Sequence, residues 1–162
     1  MGVTASTGAA AAMVGGSTIN SFLGMGTGRE NVEVYFSIVY GARNKELKER
    51  IVSTDRILID EISMVGRQMM GRIDSRLSKA KPERDDSSLG ETSLVCVGDP
   101  GQCQAIFDQQ LYDTTPHSKT AELTTTSKLS NRGLQVYEEF DKFIILDEVH
   151  RLDVIKNPQT QE

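Results

Sequence analysis

The segment from Arg56 to Val65, Arg-Ile-Leu-Ile-Asp-Glu-Ile-Ser-Met-Val, constrains this chain more than any other. Ile57, Leu58 and Ile59 form an unbroken aliphatic run that ends at once in two adjacent carboxylates, Asp60 and Glu61. A run this short, apolar on both sides and closing on charge, reads as a buried parallel strand with an acidic tip. Such tips suit a metal. In nucleotide-hydrolysing proteins the first acid holds Mg²⁺ beside the phosphates, and the second orients or deprotonates the attacking water. A strand that simply ends in a charged turn is the competing reading.

A second run repeats the pattern. Ser93 to Val97 is strongly strand-like and ends in Gly98-Asp99-Pro100-Gly101-Gln102. Between the two, Gly66 to Lys79 spaces Met69, Met70, Ile73 and Leu77 as a helix facing a core. Two strands that each finish in an acid and are joined through a helix imply a parallel α/β sheet. The carboxyl edge of such a sheet gathers polar residues and binds ligands. Gly2 to Ser6 is short and β-compatible, and Thr7 is placed to cap a helix from Ala9 to Val14 that Gly15-Gly16 stops. Phe143 to Leu146 is a further apolar run, closing on Asp147-Glu148-Val149-His150-Arg151.

The remaining segments are connections. Thr18 to Met25 predicts a short helix with Ile19, Phe22 and Leu23 on one side, before a turn at Gly26-Thr27-Gly28. Val32 to Ala42 suits either strand or helix, with helix preferred for its length. Asn44 to Ser53 predicts an amphipathic helix with Leu47, Ile51 and Val52 inward and a solvated charged face. Arg132 to Asp141 also reads as helical. Pro82 to Glu91 has the composition of an exposed loop, and Phe107 to Asn131 reads as a long, loose surface insertion.

With 162 residues the chain can bury one real core, and its apolar and charged fractions are those of a soluble domain. A formal net charge of −5 gives no global signal for nucleic acid, so any DNA contact must come from a local patch. Cys96 and Cys103, without a partnering His or Cys cluster, argue against a zinc site or a disulfide framework and fit a reducing, intracellular compartment. Met1-Gly2-Val3-Thr4-Ala5-Ser6 matches a myristoylation pattern only formally, and the start has neither the basic region nor the apolar run of a secretory signal. No feature indicates a membrane.

Three segments in this order, Val-Thr-Ala-Ser-Thr-Gly-Ala-Ala-Ala (3 to 11), Leu-Ile-Asp-Glu-Ile-Ser-Met-Val (58 to 65) and Val-Gly-Asp-Pro-Gly-Gln (97 to 102), resemble the PIF-type ATP-dependent DNA helicases of superfamily one. The resemblance implies a P-loop NTPase (RecA-like) fold, a parallel sheet with flanking helices, here incomplete. Residues 3 to 11, continued by Gly16-Ser17-Thr18-Ile19-Asn20-Ser21-Phe22, resemble the motif after the Walker A helix, with Asn20 at a usual histidine. Residues 58 to 65 are similar to the Walker B strand, which implies Asp60 on Mg²⁺ and Glu61 as the water-activating base. Residues 97 to 102 resemble the motif whose glutamine senses the γ-phosphate, which implies that role for Gln102. Cys103-Gln104-Ala105 departs there from the family's Leu-Pro-Pro. Tyr137-Glu138-Glu139-Phe140 through His150-Arg151 resembles the segment that ends in an arginine reaching the nucleotide, Arg151, with Leu152 replacing a common glutamine.

What the resemblance implies is 5′-to-3′ DNA unwinding driven by ATP and Mg²⁺, on single-stranded or duplex DNA. Contacts to DNA are expected from Ser6, Thr7 and Asn20 at loop ends and from Phe22 stacking on a base, with core packing of Phe22 as the alternative. No Gly-x-x-x-x-Gly-Lys-Ser/Thr occurs, and Gly24-Met25-Gly26-Thr27-Gly28-Arg29 lacks both its spacing and its lysine. The chain therefore reads as part of a first motor domain over residues 1–152, with a loose insertion at 107–131 and a polar tail at 153–162. The family's Walker A segment and second motor domain are expected to be missing from it, as in a gene-model fragment, a split gene or a degenerate copy, and it is expected to be inactive alone. The family implies a nucleus or mitochondrion for a eukaryotic chain. Two other classes stay open: a non-catalytic remnant that binds DNA or protein, and an unrelated Mg²⁺-dependent hydrolase with paired carboxylates.

Overall fold

In the computed structural model, which describes residues 1–26, 42–84, 87–117 and 124–148, the acid-tipped run is an inner strand. Arg56–Asp60 (β3) lies between Gly2–Ala5 (β1) and Ser93–Cys96 (β4), and β1 pairs on its far side with the two-residue strand Ser17–Thr18 (β2). Every pairing is parallel, in the order β2-β1-β3-β4. The register sets Ala5 beside Asp60 and Ile59 beside Cys96. The turns that follow β1, β3 and β4 therefore leave from one carboxyl edge.

Helices connect the strands. Gly8–Met13 (α1) starts at Thr7, whose hydroxyl oxygen accepts a hydrogen bond from Ala10 N at 3.2 Å, and the chain turns away at Gly15 with φ 64°. Ile19–Phe22 (α2) is capped in the same way by Thr18. Ala42–Val52 (α3) leads into β3, and Arg67–Ala80 (α4) carries the chain from β3 towards β4. Thr125–Glu138 (α5), capped by Thr124, packs along α4.

The core lies on one face of the sheet. Ile57 and Ile59 are wholly buried there against Ile19 and Leu23, Ile51 of α3, and Met70, Ile73 and Leu77 of α4. The other face is more open, with Leu58 half-buried and Val95 and Val97 exposed. The expectation that this strand is buried on both sides is thus corrected. Its alternate residues see different environments, as on any pleated strand with one covered face.

α4 and α5 meet at two glycines. A Cβ on Gly133 would collide with the Arg67 carbonyl, and one on Gly71 with the Leu129 carbonyl, so the backbones approach as only glycine allows. Arg67, wholly buried, donates from Nε to Ser130 O, from Nη1 to Asp113 O and Thr115 O, and from Nη2 to Asn131 Oδ1. Asp74, also buried, accepts from Arg132 Nε at 2.6 Å and from Leu89 N at 2.7 Å. The bond that Arg132 donates to Asp74 raises the pKa of its guanidinium.

Several expectations are corrected. Phe143 to Leu146 forms no strand, and its residues are 77–88% exposed. An apolar run makes a strand only where an edge accepts it, and none of the described pairings includes this one. The segment expected to be loose up to Asn131 turns helical at Thr125, and α5 ends at Glu138 rather than Asp141. Polar residues there hid the stripe Leu129, Leu134, Val136 that packs inward. Pro82 to Glu91 contains two short 3₁₀ turns, Pro82–Arg84 and Ser88–Glu91, the second burying Leu89. Val52 is exposed rather than in the core. The Gly26-Thr27-Gly28 turn from Thr27 onwards, nearly all of Val32 to Ala42, His150, Arg151 and the 153–162 tail lie outside the described residues.

Candidate functional site

The carboxyl edge brings the two acid-ending turns together. β3 closes on Asp60, whose carbonyl accepts a hydrogen bond from Ser6 N at 3.2 Å and so ties the end of β1 to it. Glu61 follows with φ 55° and ψ 49°, in the left-handed region, before a 3₁₀ turn at Ile62–Met64. For a residue with a Cβ this conformation costs on the order of 1–2 kcal/mol, and such costs collect at functional sites. The reversal turns the chain sharply at the strand end, so both carboxylates stay at the tip.

The turn after β4 is stitched to that reversal. Ile62 N donates to Val97 O at 3.0 Å, and Val97 N donates to Ile59 O at 2.9 Å. Gly98 lies so near that a Cβ on it would stand 2.9 Å from Ile62 N and 3.4 Å from Glu61 Cα. Asp99 then shapes the rest of the turn. Its carboxylate accepts from Gly101 N at 2.8 Å and from Gln102 Nε2 at 3.4 Å, and its carbonyl accepts from Gln102 N at 3.1 Å. Gln102 is exposed, and the bond its amide donates to Asp99 is a long one. Asp60, Glu61 and Gln102 thus sit on two turns held in direct contact.

Asp60 fits Mg²⁺. This cation keeps several waters and takes one or two carboxylates plus phosphate oxygens rather than an all-protein cage. Asp60 ends β3 at the carboxyl edge and is half-buried, so its carboxylate is a donor of the kind such a cation takes.

Three buried polar atoms on the strand-end segments have no partner: Ser6 Oγ after β1, Asn20 Oδ1 in α2 and Ser63 Oγ in the turn after Glu61. Ser6 and Asn20 are among the residues expected to reach DNA. Ser63, only 8% exposed, was not expected from the sequence, although it stands two places past Glu61 inside the same motif. Thr7 is committed as the cap of α1. Phe22 is half-buried and packed against the core: the end of its ring lies where a Cβ on Gly2 would stand, and the Arg50 guanidinium sits over the ring, 5.3 Å from its centroid, while donating to Phe22 O at 2.6 Å. The packed alternative describes Phe22 here. His117 is a structural residue, its backbone clasped by the Asn131 amide through 2.9 and 3.3 Å bonds. Cys96 and Cys103 are both free thiols, and burial pushes that of Cys96 up to about 12.

Comparison with known proteins gives the family. The family model described as PIF1-like helicase matches residues 1–161. The ATP-dependent DNA helicase PIF1 of Candida albicans is 34% identical over 113 residues, 70% of this chain and 12% of that protein. The Pif1 helicase of Bdellovibrio bacteriovorus is 30% identical over 63% of this chain and 22% of its own length. A crystal structure of Bacteroides Pif1 helicase in complex with ADP-AlF3 and single-stranded DNA superposes with a TM-score of 0.56 at 26% identity, covering 66% of this chain and 24% of that one. The Candida albicans Pif1 crystal structure gives 0.54 at 37% identity, covering 65% and 24%. The chain thus spans under a quarter of the length of these relatives. With the family model matching residues 1–161 of the chain, and a parallel sheet with flanking helices that superposes on the RecA-like fold of Pif1 helicases, the chain belongs to the PIF1-like helicase family.

Proposed function

We propose that this chain carries the metal-binding and water-activating part of an ATP-driven DNA helicase motor. The observation that supports this best is the contact between the Glu61 reversal and the Gly98 to Gln102 turn, which gathers two acids and an amide on one edge. Asp60 would hold the Mg²⁺ of the bound nucleotide, and that ion would neutralise charge on the phosphates. Glu61, its backbone locked in the reversal, would accept the proton of the attacking water. Gln102 would donate its amide to the terminal phosphate by giving up the long bond to Asp99. Arg151 is proposed as the second phosphate contact, the planar fork suiting spread negative charge. Ser6 and Asn20, both half-buried on segments that leave this edge, are proposed to reach single-stranded DNA there. Unwinding in the 5′-to-3′ direction belongs to this proposal.

The sequence holds no Walker A loop, whose backbone N–H groups and lysine compensate most of the triphosphate charge. The test therefore joins residues 1–162 to the Walker A segment and second motor domain of the Candida relative and measures DNA-stimulated phosphate release. Glu61→Gln should lower turnover by at least about 100-fold with nucleotide binding kept, the loss of a general base. Arg151→Lys should lower turnover by at least about tenfold. Turnover unchanged in Glu61→Gln would sink the proposal.

A further inference from the structure

The loop that continues from Gln102 presents an apolar tip on a fixed base. Ile106 is 73% and Phe107 93% exposed, and Phe107 has φ 58°, a region that bulky residues avoid. Both flanks of the tip are fastened. On one side the Gln110 side chain clasps the Ala105 backbone, accepting from its N and donating to its O, each at 3.3 Å. On the other, Asp108 caps α4 by accepting from Gln68 N at 3.1 Å and Met69 N at 3.2 Å, in space that a Cβ on Gly66 would take. Next to it, Gln109 O accepts from Arg67 N at 2.8 Å, and Leu111 is buried. The tip thus bears an unfavourable backbone conformation and exposes two apolar side chains, with little packing in return among the described residues.

We propose that Phe107 stacks on a base of single-stranded nucleic acid, a role that rests on the DNA-motor reading above. Residues 98–117 contain Asp99, Asp108 and Asp113 and no lysine or arginine, so the loop cannot track a phosphate backbone. A flat ring with free faces on a rigid base can still take the face of a base, and such stacking releases no counter-ions.

The test uses the full 162-residue chain and a fluorescein-labelled oligothymidine, followed by anisotropy at several salt concentrations. Phe107→Gly relieves the backbone, so it should melt no lower than wild type, yet bind at least about fivefold more weakly. The factor should be the same at every salt concentration, with the salt slope unchanged. Phe107→Trp should keep the affinity and Phe107→Leu should lose it. Wild-type affinity in Phe107→Gly overturns the proposal. Full affinity in Phe107→Leu also overturns it and makes the tip an apolar prong for a protein. If wild type fails to bind the oligonucleotide at all, the DNA reading falls and this role falls with it; binding that ignores Phe107 removes the stacking role alone.

Discussion

The α4–α5 pair and the carboxyl edge use polar residues in opposite ways. In the helix pair, Arg67 and Asp74 are deeply buried and take their partners from the protein itself: three carbonyls and an amide oxygen for the arginine, a guanidinium and a backbone N–H for the acid. At the edge, Ser6, Asn20 and Ser63 keep buried oxygens without partners, Gln102 holds one long bond, and Glu61 is strained. Orphans alone do not define a site, since Arg72 Nε and Ser78 Oγ on α4 are also unpartnered. The coincidence of orphans, strain and two touching acidic turns is what separates the edge. A satisfied buried network stabilises a fold, whereas buried polar atoms without partners weaken it, a cost that folds retain where strain or function is stored.

The largest expected effect breaks the first half of that contrast. Arg67→Met leaves four oxygens without their donor and should destabilise the chain by about 3–5 kcal/mol, read from urea unfolding. A loss under about 1 kcal/mol, the range of an exposed pair, would show that the network is not structural. Gly133→Ala comes next. Its methyl group meets the Arg67 carbonyl, so the helices must separate at a cost of about 1–3 kcal/mol, and a melting curve that overlays wild type would remove the close crossing.

The second half predicts the reverse sign. Glu61→Gly relieves the left-handed backbone and should leave stability unchanged or raise it by up to ~1 kcal/mol, while abolishing turnover in the joined motor. Clear destabilisation would mean that the Glu61 side chain holds the fold. The smallest effect concerns the thiols. With its thiol pushed up to about 12, Cys96 should stay protonated and slow towards a thiol reagent at pH 8, whereas exposed Cys103 should react at once. Because the folded value lies above the unfolded one, this group's contribution is full below the ordinary thiol range and declines as the pH rises from there towards 12. Cys96→Ala should flatten that alkaline decline, and an unaltered decline would assign it elsewhere.

Much of the sheet was legible because a strand closing on an acid is a local signal. Ile57 to Glu61 and Ser93 to Asp99 announce both the strands and their turns, and Thr7 announces its helix through a cap three residues from its donor. The two-residue strand Ser17–Thr18 was not legible, since its identity lies in its pairing with Thr4 and Ala5. Phe143 to Leu146 failed for the same reason in reverse: its composition suits a strand, and no pairing among the described residues supplies the edge. The polar start of α5 concealed a helix whose apolar positions matter only against α4.

By itself the sequence determined the chemistry available to this protein: which acids stand at strand ends, which amide follows the second turn, and the order of motifs that marks the family. These depend on neighbours in the chain and on side-chain type, so they survive without a fold. Only the tertiary structure decided which groups are used up and which are left open. It placed Phe22 under Arg50, turned Arg67 into a buried clamp, left Ser63 without a partner and raised Phe107 on a fastened loop. Each of those outcomes depends on atoms from segments far apart in sequence that meet only once the sheet and its helices have packed.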